Sequence, residues 1–296
     1  MLGTKTRKIS IITETILFLC IVFVTISLLD KLEIIDYEKI LQDDTSLALS
    51  TYDTKEKIKQ ENKYYIKDIK EKYNIKVMYG KDTNNFVSKV NGIVQTNENI
   101  VNNNLKIIYD ALEKYPKDIF DIFKSKGYTM YIMLVDSFTN DNLALASRNS
   151  LNDVRIYVSN TEKLERAFHH EMFHVLEYFM SDNHKYLYAS WYRLNPLDFS
   201  YEENINDLTS DYVLYSSIKS SDNLTNYENT YFVTKYAKTQ DKEDRAETFA
   251  EMMILEKNES YFSEGTHLYK KAKAISDSLK QYLTDESFYF SKYINI

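Results

Sequence analysis

The chain holds five histidines in 296 residues, and two of them stand four apart in His170-Glu171-Met172-Phe173-His174. Two imidazoles at that spacing can work together only on an α-helix, where a turn of about 100° per residue brings positions i and i+4 onto one face. The flanking residues agree with a helix. Leu164, Phe168, Met172, Val175 and Phe179 form an apolar stripe at helical spacing, roughly opposite the two histidines. Ser159 to Glu162 fits the S-x-x-E box that caps a helix start. One side of this helix is expected to enter a core while the other faces a cleft.

The pattern H-E-x-x-H on a helix is the outline of a metal site. Both imidazoles can reach one Zn²⁺ at about 2.0–2.1 Å, and the glutamate between them stands beside the metal, placed to take a proton from water. A catalytic zinc site also needs a third protein ligand and an open position. No further histidine follows closely, since Val175, Leu176, Glu177 and Tyr178 come next. A carboxylate on a later helix is therefore expected. The segment Glu243-Asp244-Arg245-Ala246-Glu247-Thr248-Phe249-Ala250 supplies two, Glu243 and Glu247, one turn apart on a face shared with Ala250 and Ile254. One carboxylate can bind the metal while the other hydrogen-bonds a ligand histidine and fixes its tautomer. The small Ala250 lets this helix approach the histidine helix closely. Glu177 is the weaker candidate, because three residues after His174 it points elsewhere. His169 is expected to be an incidental neighbour, and His184 and His267 ordinary surface or hydrogen-bonded histidines.

Composition removes other classes. A net charge of −7 argues against a nucleic-acid binder. Five Gly and two Pro leave no phosphate-cradling loop or Pro-rich linker, and one Cys excludes a disulfide framework and any multi-cysteine metal site. With 44% hydrophobic residues the chain can bury a core.

At the N-terminus, Lys5, Arg7 and Lys8 precede an uncharged run from Thr15 to Leu29, with acidic Asp30, Glu33 and Asp36 after it. Residues 1–30 are expected to be a signal peptide or membrane anchor, with the N-terminus inside and the bulk of the chain outside, at the cell surface or secreted. Cys20 lies in this segment behind Leu19, so lipidation is not expected and the exported part has no thiol. Residues 31–72 are charged and free of Gly and Pro, a helical stalk, and 73–296 form the catalytic domain. Within it, strands are expected at Ile75–Tyr79, Tyr128–Val135 and Arg155–Val158, the last a sheet edge for an extended substrate. Helices are expected over Asn99–Phe123, divided at Pro116, and over about Glu243–Leu255 and His267–Tyr282. The polar, Tyr-rich stretch 181–231 is expected to hold loops and short helices. A strand–helix–strand region followed by helices is α+β.

These residues resemble the gluzincins, zinc peptidases with two His and a downstream Glu ligand, and most nearly the anthrax lethal factor catalytic domain and the clostridial Pro-Pro endopeptidases. Those proteins carry H-E-x-x-H on one helix, then a Tyr seven residues before a ligand Glu in an E-x-x-A-E-x-F-A-like segment. Here Tyr236 precedes Glu243 by seven, and the segment runs from Glu243 to Ala250. The resemblance implies Glu243 as third ligand, Glu247 as the carboxylate behind a ligand His, and Tyr236 as a phenol that stabilises an oxyanion. It further implies a zincin-like α+β domain with a small mixed sheet, a central H-E-x-x-H helix and a mainly helical C-terminal lobe. The implied function is zinc-dependent endopeptidase action on protein or peptide, with Glu171 as general base. The other class to weigh is an inactive zincin-fold surface or toxin-like protein with a single partner. Two departures stand out: Met172-Phe173 where a small residue often precedes the second His, and a Glu ligand 69 positions after His174, which leaves room for an insertion around Trp191.

Overall fold

The computed structural model describes residues 37–296 apart from 141, 151, 183, 185, 186, 203 and 215–226. The expected N-terminal membrane segment, 1–30, lies outside the described residues. Among the described residues no helix is long and apolar enough to cross a membrane. The chain divides into two compact units, 1–57 and 58–296.

Helix α1 (Tyr37–Tyr73) supplies the described part of the smaller unit and opens the larger one. Residues 58–72 of the expected stalk therefore belong to the larger unit, and burial gives the reason. Ile69 and Tyr73 are in its core. Buried Asn62 donates to Glu98 Oε2 at 2.8 Å and accepts from Asn102 Nδ2 at 2.9 Å. The charged pattern of this segment thus hid an inward face.

The larger unit is α+β. Its sheet has the order β1-β3-β5-β4, with β1 (Ile75–Met78), β3 (Thr129–Phe138) and β5 (Asp153–Val158) parallel and β4 (Ala144–Ser150) antiparallel at the edge. A short β2 (Gly92–Val94) pairs antiparallel with the end of β3. Strand β3 is nearly continuous in apolar residues because both its faces are covered. Met130, Ile132 and Leu134 enter the main core, while Met133, Val135 and Phe138 enter a smaller cluster with Val87 and Tyr157. Between β1 and β3 run α2 (Glu98–Leu112) and α3 (Asp118–Ser125), separated at Pro116. Pro116 forbids a helical hydrogen bond and restricts Tyr115 before it, so the break falls there.

The strand Arg155–Val158, expected at a sheet edge, is interior. The edge is β4, whose sequence ALASRNS has no β-branched residue or strong alternation. Its strand character comes from pairing with β5, so local pattern could not reveal it.

The central helix α4 (Leu164–Ser181) carries His170-Glu171-Met172-Phe173-His174. It does not begin with the expected capping box. Its N-cap is Lys163, without a side-chain cap bond, and the Ser159 hydroxyl donates to Leu143 O at 2.7 Å, extending the β4–β5 pairing. The Ser159 backbone N–H also donates to Leu143 O, at 3.0 Å, so the sheet and not the helix holds this residue. The apolar stripe from Leu164 to Phe179 is fully buried. After the described loops and 3₁₀ turns that lie between 182 and 240, the C-terminal lobe is mainly helical, with α5 (Asp241–Met253) and α6 (His267–Tyr282).

Two polar contacts tie these parts together. Arg148 on β4 grips Asp182 at the end of α4 at 2.8 and 2.5 Å, and Tyr128 also donates to Asp182. In the lobe, Asp244 Oδ2 accepts from Lys271 at 2.6 Å, Tyr201 at 2.8 Å and Trp191 at 2.9 Å. Asp244 and Lys271 are fully buried. Burial pushes the Asp244 carboxyl up and the Lys271 ammonium down, each toward neutrality, while each partner opposes that shift.

Lys271→Met strands a buried carboxylate and is expected to cost about 3–5 kcal/mol in urea unfolding. Asp182→Asn is expected to cost about 1 kcal/mol at neutral pH, since the pair is partly solvated. Arg148 holds the Asp182 carboxyl below its ordinary 3.8. A depressed carboxyl stabilises the fold above its unfolded pKa and loses that effect as pH falls through the folded one. The gap between the wild type and Asp182→Asn should therefore close as urea titrations move below pH 3.8.

Candidate metal centre

Helices α4 and α5 meet along small and aromatic residues. Ala246 and Ala250 are fully buried, as close approach requires. Phe173 packs on Phe249 of α5 with ring centroids 4.9 Å apart. The bulky residue before His174 is thus part of the helix–helix contact, where truncation to alanine typically costs about 3–5 kcal/mol.

This contact brings three electron-pair donors together. His170 Nε2 and His174 Nε2 are 3.2 Å apart, and Glu243 Oε2 lies 3.0 Å from the first and 3.2 Å from the second. Among the described residues, they form a group of three side chains able to hold one metal ion. Tetrahedral ligands at about 2.0–2.1 Å from zinc stand about 3.3–3.4 Å from one another, close to this arrangement.

The tautomer strengthens the fit. His170 Nδ1 lies 2.7 Å from Glu247 Oε1, an acceptor, so in the neutral ring Nδ1 carries the proton. Nε2 then presents a lone pair to Glu243 Oε2 and His174 Nε2. Such a cluster needs a cation between its members. Burial opposes the imidazolium, but hydrogen bonds to Glu243 and Glu247 outweigh it and raise His170 to about 10. Burial likewise opposes charge on both carboxylates. His170 and His174 nevertheless hold Glu243 below its ordinary range, and Arg166 with His170 does the same for Glu247. The donor set of two imidazoles and one carboxylate suits zinc.

The other expected site residues surround this triad. Glu171 is buried and its Oε2 accepts from the backbone N–H of Ala146 on β4 at 2.5 Å. Tyr236, 44% exposed, lines the cleft with its ring 5.9 Å from that of His170. Burial first, then nearby Glu243, keeps its phenol protonated well above the ordinary range, so it remains a donor. Its turn is held by Thr239, which donates to Tyr236 O at 2.7 Å, and by Thr234, which accepts from Ala237 N at 3.2 Å. Glu247 accepts from Thr234 Oγ1 at 2.7 Å and pairs with Arg166 at 2.9 Å, as well as meeting His170.

The histidines and the glutamate set aside lie elsewhere. His169 is a core residue, its Nδ1 2.7 Å from the Tyr115 hydroxyl. His184 lies tilted against Tyr282, and His267 stacks on Tyr231. Glu177 pairs with Arg245 at 2.5 Å. Trp191, around which there is room for an insertion, is buried and donates to Asp244.

Three contributors escaped the sequence reading. Arg166 stands four residues before His170, so helical spacing could have placed it on the same face. Thr234, two residues before Tyr236, and the edge strand at Ala146 gave no such signal.

No protein-family model and no curated protein matches the chain. Among solved structures it is similar to a "putative zinc-binding metallo-peptidase" from Bacteroides caccae, with a TM-score of 0.47 and 16% identity over 77% of this chain and 87% of that one.

Purified protein is expected to bind one zinc per chain by elemental analysis. His174→Ala and Glu243→Ala should lose it. Glu247→Ala, which frees the His170 tautomer, should weaken zinc affinity about 10–100-fold in a chelator competition.

Proposed function

We propose that the protein is a zinc-dependent endopeptidase of the gluzincin type. The observation that carries this reading is the convergence of His170, His174 and Glu243, with Glu171 and Tyr236 bordering the same cleft. His170, His174 and Glu243 would hold a zinc ion, which when bound would supply Lewis acidity toward a peptide carbonyl and toward water. Glu171 takes the proton of the attacking water and passes it to the leaving amine, a role suited to a carboxylate fixed at the cleft wall. Tyr236 donates a hydrogen bond to the oxyanion that forms on the substrate carbonyl. Glu247 holds His170 in one tautomer. The edge of β4, apart from the Ala146 N–H held by Glu171, offers backbone groups to an extended peptide, the task first expected of Arg155–Val158.

The N-terminal charge pattern supports a location at the cell surface or outside the cell, with Lys5, Arg7 and Lys8 on the inner side of an apolar run. The absence of any Cys after Cys20 fits that compartment.

The test is a peptide-library cleavage assay on zinc-loaded protein. Glu171→Ala should lower kcat by about 10²–10⁴-fold while one zinc per chain stays bound. Proteolysis retained in Glu171→Ala refutes the base, and a zinc-loaded wild type that cleaves no peptide refutes the enzyme. Tyr236→Phe should lower kcat by about 10²–10³-fold and leave KM nearly unchanged, because its bond forms in the transition state.

A further inference from the structure

Two cavities adjoin the metal triad, one lined by all three of its residues and the other by His170 alone. They share Asn142, Ala144, His170, Glu171 and Tyr236. One extends past His174 to Tyr178 and Lys242. The other, about 340 Å³, extends toward the start of α4 and reaches Lys163, Arg166 and Ile205. Ala144 of β4 borders both, Ala146 the first and Leu143 the second, so the edge strand runs beside the pair.

The charges lining these cavities differ from those of the whole chain. Glu171, Glu243 and Glu247 are all buried and engaged at the centre. Arg166 is spent on Glu247 at 2.9 Å and Glu251 at 3.7 Å. The two most exposed lining charges are both lysines, one in each cavity. Lys163 is exposed and makes no ion pair among the described residues. The Lys242 side chain is 52% exposed, with its ammonium 3.6 Å from Glu243 Oε1. Asp241 beside it is turned to Arg245 at 2.8 Å. Three lining carboxylates face three lining cations, so a bound divalent ion would make the lining net positive on a chain of net charge −7. A positive cleft in an acidic protein concentrates anionic ligands and repels cationic ones.

We infer that the cleft takes acidic peptides, with carboxylate side chains on both sides of the central bond met by Lys163 and Lys242, which act as specificity-determining residues. The inference rests on the peptidase reading and names its substrate class. Because both lysines are solvated, each contributes a modest and salt-sensitive preference.

The test uses the zinc-loaded full chain carrying Glu171→Gln, so that bound peptide is not consumed. The probes are decapeptide pools with a neutral fluorophore and Glu, Gln or Lys fixed two positions to either side of the centre. Fluorescence anisotropy should show the Glu pool binding about 3- to 10-fold more tightly than the Gln pool, and the Lys pool most weakly. The preference should shrink as salt is raised. Lys163→Glu and Lys242→Gln should each erode it and together abolish it, compared at one zinc per chain and with circular dichroism unchanged. Equal binding of the three pools, a preference untouched by both substitutions, or no binding of any pool overturns the inference. Turnover of the same pools by wild-type protein separates the two readings. Cleavage without charge preference sinks this inference and leaves the peptidase standing, whereas acid-selective binding with no cleavage sinks the peptidase and leaves the acidic-ligand cleft.

Discussion

Three lone-pair donors held 3.0–3.2 Å apart are an unstable arrangement without a cation among them, and much of the larger unit is arranged to keep them there. Helices α4 and α5 must pack closely, which Ala246 and Ala250 allow and the Phe173–Phe249 contact secures. Glu247 must occupy the far side of His170, which Arg166 and Thr234 ensure. Asp244, the neighbour of Glu243, is pinned by Lys271, Trp191 and Tyr201, so the helix bearing the carboxylate cannot rotate freely. Each arrangement costs desolvation or strain, and the apolar core around β3 and α4 provides the stability that offsets it.

The long stretch between His174 and Glu243 gains a structural meaning from the same contacts. Trp191 and Tyr201 donate to Asp244, and Asn195 donates to the Tyr201 hydroxyl, so residues 191–201 are folded against α5. Ile205 then comes forward to line a cavity beside the metal triad. One part of the segment braces the ligand helix and another borders the place where substrate is proposed to lie.

What could be read from the sequence followed the strength of local periodicity. The 3.6-residue repeat around His170 and the Glu243–Glu247 spacing located both helices of the site, because helical neighbours are set within a few residues. The break at Pro116 was legible for the same reason. The edge strand β4 was not, since ALASRNS acquires its extended form from pairing with β5. The Ser159 box misled because the hydroxyl found a partner in Leu143, sixteen residues earlier in the chain. The inward face of α1 was masked by surrounding Lys and Glu, with Asn62 finding its partners about forty residues away. Contacts of that separation are invisible to any local pattern.

Glu247 has a consequence that reaches past the histidine it orients. The same carboxylate receives the Thr234 hydroxyl, and that hydroxyl in turn receives the N–H of Ala237, next to Tyr236. The imidazole and the phenol, from segments more than sixty residues apart, are therefore mounted on one common bracket. Thermal drift of the two becomes correlated, so the distance between the ring that faces the metal position and the hydroxyl across the cleft is steadier than either position alone.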